Sequence, residues 1–369
     1  MNEPMRVLQV IGIMDRGGAE AMIMNLYRNI DRSKIQFDFV ENENNGAFFD
    51  EEILDLGGKI YHCPRFNGKN IFSYQRWWKA FFDEHKEFKI VHGHIGSTAT
   101  FYLKEAKKHG LVTIAHSHNT RSQGWKQLFY DVLSYPVRNI ANHLFMCSLQ
   151  AGIDRYGESA VKKKGCLFPN AINTKEFCFN EDMRSRKREE MGFSTDNLLV
   201  GHIGRFVEQK NHLFLLEIFK EIVAFNRNAI LLLVGDGPLR KDIEEKINAL
   251  NLQGKVVLLG LRSDVNELLA LMDVLVFPSK YEGLPVTLVE AQCNGLPCVI
   301  SQNIPPDSIL IKELAHTLSL EDSPAVWAKT ALNCTCEDRA SYAEKVKEAG
   351  YDVAESAKRL EEFYLEKAR

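Results

Sequence analysis

The chain has 369 residues, 45% of them hydrophobic and 26% charged, with a formal net charge of −3. A single core seldom grows to that length, so two domains are expected, and the composition is that of a folded globular protein rather than a disordered one. The near-neutral balance gives no general attraction to nucleic acid, whose phosphates call for a clustered basic surface.

The start, Met1-Asn-Glu-Pro-Met5, lacks the basic then apolar order of a signal peptide, and no run reaches the roughly 18 apolar residues that a spanning helix needs. A cytoplasmic protein is expected. The 8 cysteines include no CxxC pair, and Cys334 and Cys336 have no second pair at zinc spacing, so reduced packing cysteines are expected. Asn333-Cys334-Thr335 matches a glycosylation sequon that should be silent without secretion.

Along the chain, strand-like and helix-like segments alternate. Arg6 to Gly12 reads as a buried strand, Ala19 to Asn29 as a helix and Phe37 to Val40 as a strand. Ile90 to His94, Val112 to Ala115 and His143 to Cys147 follow as further strands. Such alternation predicts an α/β fold with a parallel sheet wrapped by helices. Asn173 to Ser194 is charge-rich with little strand character, which places a domain boundary there. Strands restart at Leu198 to Ile203, Ile230 to Val234, Lys255 to Leu259 and Val274 to Phe277, with helices over His212 to Val223 and Val286 to Cys293. The domains expected are 1–178 and 179–350. Segment 351–369 carries a helix with Val353, Ala357, Leu360 and Tyr364 at helical intervals.

Doubly wound sheets bind ligands at the carboxyl ends of their strands, and the candidate residues sit there. Gly201-His-Ile-Gly204-Arg205-Phe-Val-Glu-Gln-Lys210-Asn211 joins a strand to a helix. Arginine offers a planar fork to phosphate oxygens, lysine a mobile charge, and a helix start adds amide donors. Asp15-Arg16-Gly17-Gly18-Ala19-Glu20 joins the first strand to the first helix, where two glycines let a ligand approach the backbone. Neither this loop nor Gly235-Asp236-Gly237-Pro238 completes the Gly-x-Gly-x-x-Gly fingerprint of a dinucleotide oxidoreductase. His116-Ser117-His118-Asn119 follows the strand Val112 to Ala115. His92 and His94 end the neighbouring strand, without an identifiable third ligand for a metal.

The run Pro278-Ser279-Lys280-Tyr281-Glu282-Gly283-Leu284-Pro285-Val286-Thr287-Leu288-Val289-Glu290-Ala291, continuing to Ser301, resembles the signature of glycosyltransferase family 4. The resemblance covers nearly the whole chain and is strongest from Gly201 to Ser301. It implies the GT-B architecture, two Rossmann-like domains facing across a cleft, with the last helix returning to the first domain. It also implies a retaining transferase that uses a nucleotide sugar, a UDP-sugar first among them. In that family the first glutamate, here Glu282, lies by the donor sugar and diphosphate, and the second, here Glu290, grips the ribose hydroxyls. A carboxylate suits both places, because it accepts from two vicinal hydroxyls at once.

The same resemblance gives Arg205 and Lys210 to the diphosphate, with Gly17 and Gly18 close by, and His116 to the reacting sugar. Glu282, His116, Arg205 and Lys210 are then the catalytic candidates. Gly17, Gly18, Arg205, Lys210, Glu282, Gly283, Leu284 and Glu290 are the donor-binding ones, and His118 and Arg262 are further candidates. No cofactor or metal is expected, because side-chain cations stand where other transferases hold a metal on an Asp-x-Asp triplet, which this chain lacks. The expected acceptor is a glycan or a lipid-linked sugar in bacterial capsule or exopolysaccharide assembly. Tyr74 to Phe82 and Trp125 to Tyr130 mix aromatics with cations as a membrane-surface segment would, although Trp78, Phe81 and Phe82 also carry core spacing. After Ser301 the chain reads Gln302-Asn-Ile-Pro-Pro-Asp307 where many members have a Gly-Gly turn and a glutamate, which leaves the sugar open. The rivals are a nucleotide-sugar epimerase that needs no acceptor, a silent binding subunit and a dinucleotide oxidoreductase.

Overall fold

The computed structural model describes residues 3–15, 17–42, 46–118 and 132–368. The chain forms two compact units, Met1–Ala171 with Val353–Arg369, and Ile172–Asp352. The first changeover thus falls at Ala171 and Ile172, earlier than the charge-rich run suggests. The reason is local: the short helix Thr174–Phe177 packs on the helix Val286–Cys293, and the Thr174 hydroxyl donates to Asp352 at 2.5 Å.

In the first unit, β1 (Met5–Val10), β2 (Ile35–Glu41), β3 (Ile60–His62), β4 (Ile90–Gly93), β5 (Val112–Ser117), β6 (His143–Met146) and β7 (Gly165–Leu167) form one parallel sheet. Its order is β3-β2-β1-β4-β5-β6-β7. The two three-residue edge strands, β3 and β7, carry too little apolar pattern to stand out in the sequence.

Alternation along each strand sends neighbours to opposite layers. Val7, Ile90, Ile114 and Phe145 enter one core, and Leu8, Val91, Ala115 and Leu144 the other. The C-terminal helix Val353–Lys367 lies on the first of these layers, burying Val353, Ala357, Leu360 and Tyr364 beside the helix Gly18–Asn29. The second layer takes the helix Ile71–Glu84, whose Trp78, Phe81 and Phe82 are core residues. Trp125 to Tyr130 lies outside the described residues, as do Arg16 and Asn119.

The second unit repeats the plan with β8 (Leu199–Ile203), β9 (Ile230–Val234), β10 (Val256–Gly260), β11 (Val274–Phe277), β12 (Cys298–Ser301) and β13 (Ala315–Leu318). These are parallel in the order β10-β9-β8-β11-β12-β13. Leu199, Leu232, Leu275 and Ile300 face one layer while Val200, Leu231, Val276 and Val299 face the other. In both units the order reverses at the first strand of the sheet, which opens a crevice at the strand carboxyl ends.

Candidate active site

In the second unit, β8 ends at Ile203, Gly204 and Arg205 follow, and a single 3₁₀ turn, Glu208–Lys210, leads into the helix His212–Phe225. Asn211 makes the switch in the left-handed region at φ 58°, where asparagine is among the few side chains tolerated. The turn after β9 is pressed against this loop backbone to backbone. A Cβ on Gly235, at φ +132°, would lie 2.1 Å from the Gly204 carbonyl oxygen, and one on Gly237 2.6 Å from that of Phe206. Gly235-Asp236-Gly237 is therefore a buttress for the Arg205 loop, and its glycines are required by close approach.

Side chains from three parts of the motif converge here. Lys210 Nζ donates to Glu282 Oε1 at 2.7 Å and Gln209 Nε2 donates to Glu282 Oε2 at 3.2 Å, so both oxygens of this nearly buried carboxylate are engaged. Gln209 Nε2 also donates to the Tyr281 carbonyl at 2.9 Å, which ties the loop after β8 to the loop after β11. Lys210 lies 4.7 Å from the Phe277 ring centroid, a cation–π placement that fixes the ammonium. Arg205, by contrast, is exposed and its guanidinium pairs with no described residue.

Glu290 sits on the second turn of the helix Val286–Cys293. Its carboxylate makes no hydrogen bond to a described residue, and burial, with the Glu176 charge adding, pushes its pKa up to about 7. A half-buried carboxylate with no donor among the described residues is left to accept from solvent or a ligand. Gly283 and Leu284 lie between the two glutamates, where the helix Val286–Cys293 begins with no side-chain cap on its amides. Arg262 is engaged elsewhere, forked onto Asp264 at 2.5 and 2.7 Å in a network that includes Lys187.

In the first unit, Gly17 caps the helix Gly18–Asn29, and a Cβ on Gly17 would meet the Glu20 carboxylate. Gly18 has open space around its Cα. Glu41, at the end of β2, accepts from the Met14 amide at 2.8 Å and so shapes this loop from below. At the neighbouring strand ends, β4 and β5 pair Gly93 with Ala115, and the same register brings His94 level with His116. Because side chains repeat every second residue, His92, His94, His116 and His118 share one face. His92 Nε2 lies 3.1 Å from His116 Nδ1, and His94 Nδ1 2.7 Å from His118 Nε2. The rings of His116 and His118 stack at 4.1 Å.

A third histidine nitrogen thus does join His92 and His94, contrary to the sequence expectation: candidate ligand atoms of His92, His94 and His116 lie within 4.8 Å of one another. Strand register, which sequence spacing does not reveal, is what brings it there. Both nitrogens of His92 and of His94 are already hydrogen-bonded, to Tyr364, His116, His118 and Gln9. Metal ligation would break those bonds, so the cluster fits a network of neutral imidazoles better than a metal centre. Burial and mutual repulsion hold His92, His94 and His116 well below the ordinary histidine range, and burial takes His118 down to about 4.

Sequence reasoning missed Gln209, Gln9 and Tyr364. Gln209 lies inside a recognised motif but carries no charge to flag it, and Gln9 and Tyr364 are 355 positions apart.

Residues 16–175 match Glycosyltransferase Family 4 and residues 183–353 match Glycosyl transferases group 1. The putative glycosyltransferase EpsF of Bacillus subtilis (strain 168) is 36% identical over 371 residues, spanning 97% of this chain and 96% of that protein. The chain belongs to glycosyltransferase family 4. A second relative, the capsular polysaccharide biosynthesis glycosyltransferase CapH of Staphylococcus aureus, is 23% identical over 98% of this chain and 99% of its own. Among solved structures, Anabaena HepE in complex with UDP superposes with a TM-score of 0.81 over 98% of this chain and 100% of that one, at 16% identity. The fold of this family 4 chain is accordingly GT-B, with two Rossmann-like units. No helix among the described residues is long and apolar enough to cross a membrane.

Proposed function

We propose that this glycosyltransferase moves a sugar, with retention and without a metal, from a nucleoside diphosphate sugar to a glycan or lipid-linked acceptor in bacterial surface polysaccharide synthesis. UDP is the expected carrier, a choice supported by the UDP complex of the structural neighbour HepE; the capsular role of the relative CapH supports the setting. The observation that carries the reading is the strand-end cluster of the second unit: a Lys210–Glu282 pair beside Arg205 and Glu290, neither of whose side chains has a partner among the described residues.

As the bond from the anomeric carbon to the diphosphate oxygen breaks, its electron pair leaves with the diphosphate, while the acceptor's hydroxyl oxygen takes that carbon with overall retention and gives up its proton to the departing phosphate. Arg205 meets that charge directly. Lys210 can do so by sharing its protons between Glu282 and phosphate, and the amides at the Gly17-Gly18 helix start add donors. Glu282 remains beside the sugar, where positive charge develops, and Glu290 accepts from the ribose hydroxyls. His116, with His118 beside it, is assigned to the sugar hydroxyls.

A lipid-linked acceptor would bring the enzyme to a membrane surface. The helix Ile71–Glu84 supports such contact, since it exposes Phe72 at 83% together with Arg76 and Lys79. Sedimentation with anionic vesicles, wild type against Phe72→Ser, tests this part. The main reading is tested by calorimetry with UDP and by NMR of the product's anomeric centre. An α-linked product from an α-linked donor, formed in EDTA, is expected, whereas a β-linked product or a strict metal requirement overturns it. Consumption of the donor with no acceptor present would favour the epimerase instead.

A further inference from the structure

The order of the second sheet reverses between β8 and β11, and these two strands stop pairing early. Their register joins Val200 to Val274 and Gly201 to Leu275 and ends there. Each strand continues against its outer neighbour, β8 as far as Ile203 opposite Val234 and β11 as far as Phe277 opposite Ile300. A buried histidine spans the parting. His202, with no exposed surface, has its Nδ1 2.9 Å from the Val276 carbonyl oxygen. A carbonyl can only accept, so the ring carries its hydrogen on Nδ1, and a neutral His202 leaves Nε2 bare.

From this point aromatic rings lead to the Lys210–Glu282 pair. His202 stacks on Phe277 with centroids 5.4 Å and planes 26° apart, and the Lys210 ammonium, which donates to Glu282, lies 4.7 Å from the Phe277 centroid. His212, the first residue of the helix His212–Phe225, stands edge-on to His202 at 4.7 Å and 76°. Neither nitrogen of His212 has a partner among the described residues, so its ring acts here by packing alone. Burial, the neighbouring His212 and the Lys210 charge together outweigh the Val276 bond and hold His202 well below the ordinary histidine range. Burial and the Lys210 charge take His212 down to about 4. Neutral rings suit the place, because an imidazolium would repel the ammonium that the rings support.

We propose that His202 is a positioning residue: its hydrogen bond to the Val276 carbonyl fixes the end of β11 where the ladder no longer does, and through the Phe277 ring it places the Lys210 ammonium that serves the leaving diphosphate. The proposal deepens the assignment of Lys210 made above and rests on it for the effect on turnover. Asn211 Nδ2 donates to the Pro278 carbonyl at 3.2 Å, a second tie on the same segment. Loss of the His202 bond should therefore loosen the ammonium rather than release it.

Two-bond ¹H–¹⁵N correlation on the full-length enzyme labelled at histidine should show His202 neutral with its hydrogen on Nδ1. An Nε2–H His202 overturns the proposal even where a variant fails to fold. His202→Phe keeps a ring and removes the donor, whereas His202→Asn keeps a donor in the place of Nδ1 and removes the ring. The first should lower kcat about tenfold, short of the roughly 10²-fold that an ångström of misplacement costs, and the second should stay within about twofold of the wild type. The opposite ranking overturns the proposal, since the ring and not the bond would then matter. In Lys210→Met, adding His202→Phe should cost less than about twofold, because a residue that acts through the ammonium has nothing to act on once it is gone. A tenfold loss that persists in Lys210→Met overturns the coupling. The ¹H–¹⁵N signal of the Lys210 ammonium should move in His202→Phe and return in His202→Asn, which a merely structural role does not produce, and an unmoved signal in His202→Phe overturns the proposal. Wild-type turnover in Lys210→Met is a different result: it removes Lys210 from the diphosphate, whereas a moved ammonium signal would still establish that His202 positions it.

Discussion

The two strand-end clusters are built on opposite electrostatic plans. That of the second unit is charged and assembled from motif neighbours: Arg205, Gln209 and Lys210 on one loop, Glu282 and Glu290 on the next loop and helix. That of the first unit is neutral, with four imidazoles held uncharged by burial and assembled from three strands and the last helix. The contrast teaches that one fold can build an ionic cluster and a neutral one at equivalent strand ends, according to whether the groups buried there are paired charges or uncharged rings.

The largest expected effect breaks the charged side. Arg205→Ala should cut turnover at saturating donor by about 10²- to 10³-fold, because it removes the group proposed to meet the developing charge. Its melting temperature should barely move, since the guanidinium bonds to no described residue. Wild-type turnover in this variant would mean that the diphosphate is held elsewhere.

Lys210→Ala should lose stability as well as rate. It strips the ion pair from Glu282, a carboxylate exposed at only 8% that keeps its Gln209 bond, and breaking a buried ion pair costs on the order of 3 kcal/mol. Denaturant unfolding of Lys210→Ala beside the double variant Lys210→Ala with Glu282→Gln isolates that cost. If the double variant is no more stable than the single one, Glu282 is not left uncompensated.

A smaller loss, about 1–3 kcal/mol, is expected for Gly235→Ala, whose new Cβ meets the Gly204 carbonyl at 2.1 Å in a backbone region that alanine disfavours. It should disturb UDP binding through the Arg205 loop. A Gly235→Ala enzyme of parental stability, measured by urea unfolding, would remove the buttress.

Acid sharpens the comparison with the smallest effects, and the two clusters should answer it in opposite directions. Glu290 keeps its proton in the fold up to about 7, while the unfolded chain loses it near 4.5, so its contribution to stability is full below 4.5 and is lost as pH rises to about 7. The histidines refuse protons that the unfolded chain takes up near 6.5, so their contribution is present above 6.5 and is lost as pH falls, for His118 through about 4. Hydrogen exchange at pH 7 and pH 5 should show β4 and β5 losing protection while the helix Val286–Cys293 does not. UDP binding should weaken below pH 7 by at most about tenfold per pH unit, as the ribose acceptor on Glu290 is protonated. Calorimetry of Glu290→Gln removes the nucleotide's own titration from that slope, and an unchanged slope in the variant would clear Glu290 of the effect.

Much of this protein is legible in its sequence because much of its chemistry is local. Apolar runs bounded by glycine and proline mark β1, β8, β9 and β11, since a buried parallel strand needs uninterrupted apolar residues on both faces. Arg205, Lys210, Glu282 and Glu290 fall within short motifs, and the one loop 204–211 fixes the first two relative to each other. The short edge strands β3 and β7 were not legible, because three half-exposed residues carry no period.

Tertiary structure alone decided the rest. That Lys210 is spent on Glu282, 72 positions away, while Arg205 and Glu290 have no side-chain partner among the described residues, is an outcome of packing between loops distant in the chain. The histidine chain is the extreme case. Gln9 and Tyr364, 355 positions apart, become partners only because β1 lies at the centre of its sheet and the C-terminal helix covers that face. A hydrogen bond needs about 3 Å and a direction, and sequence specifies neither until strand register and helix docking have been fixed by the burial of Val7, Ile90, Ile114 and Leu360.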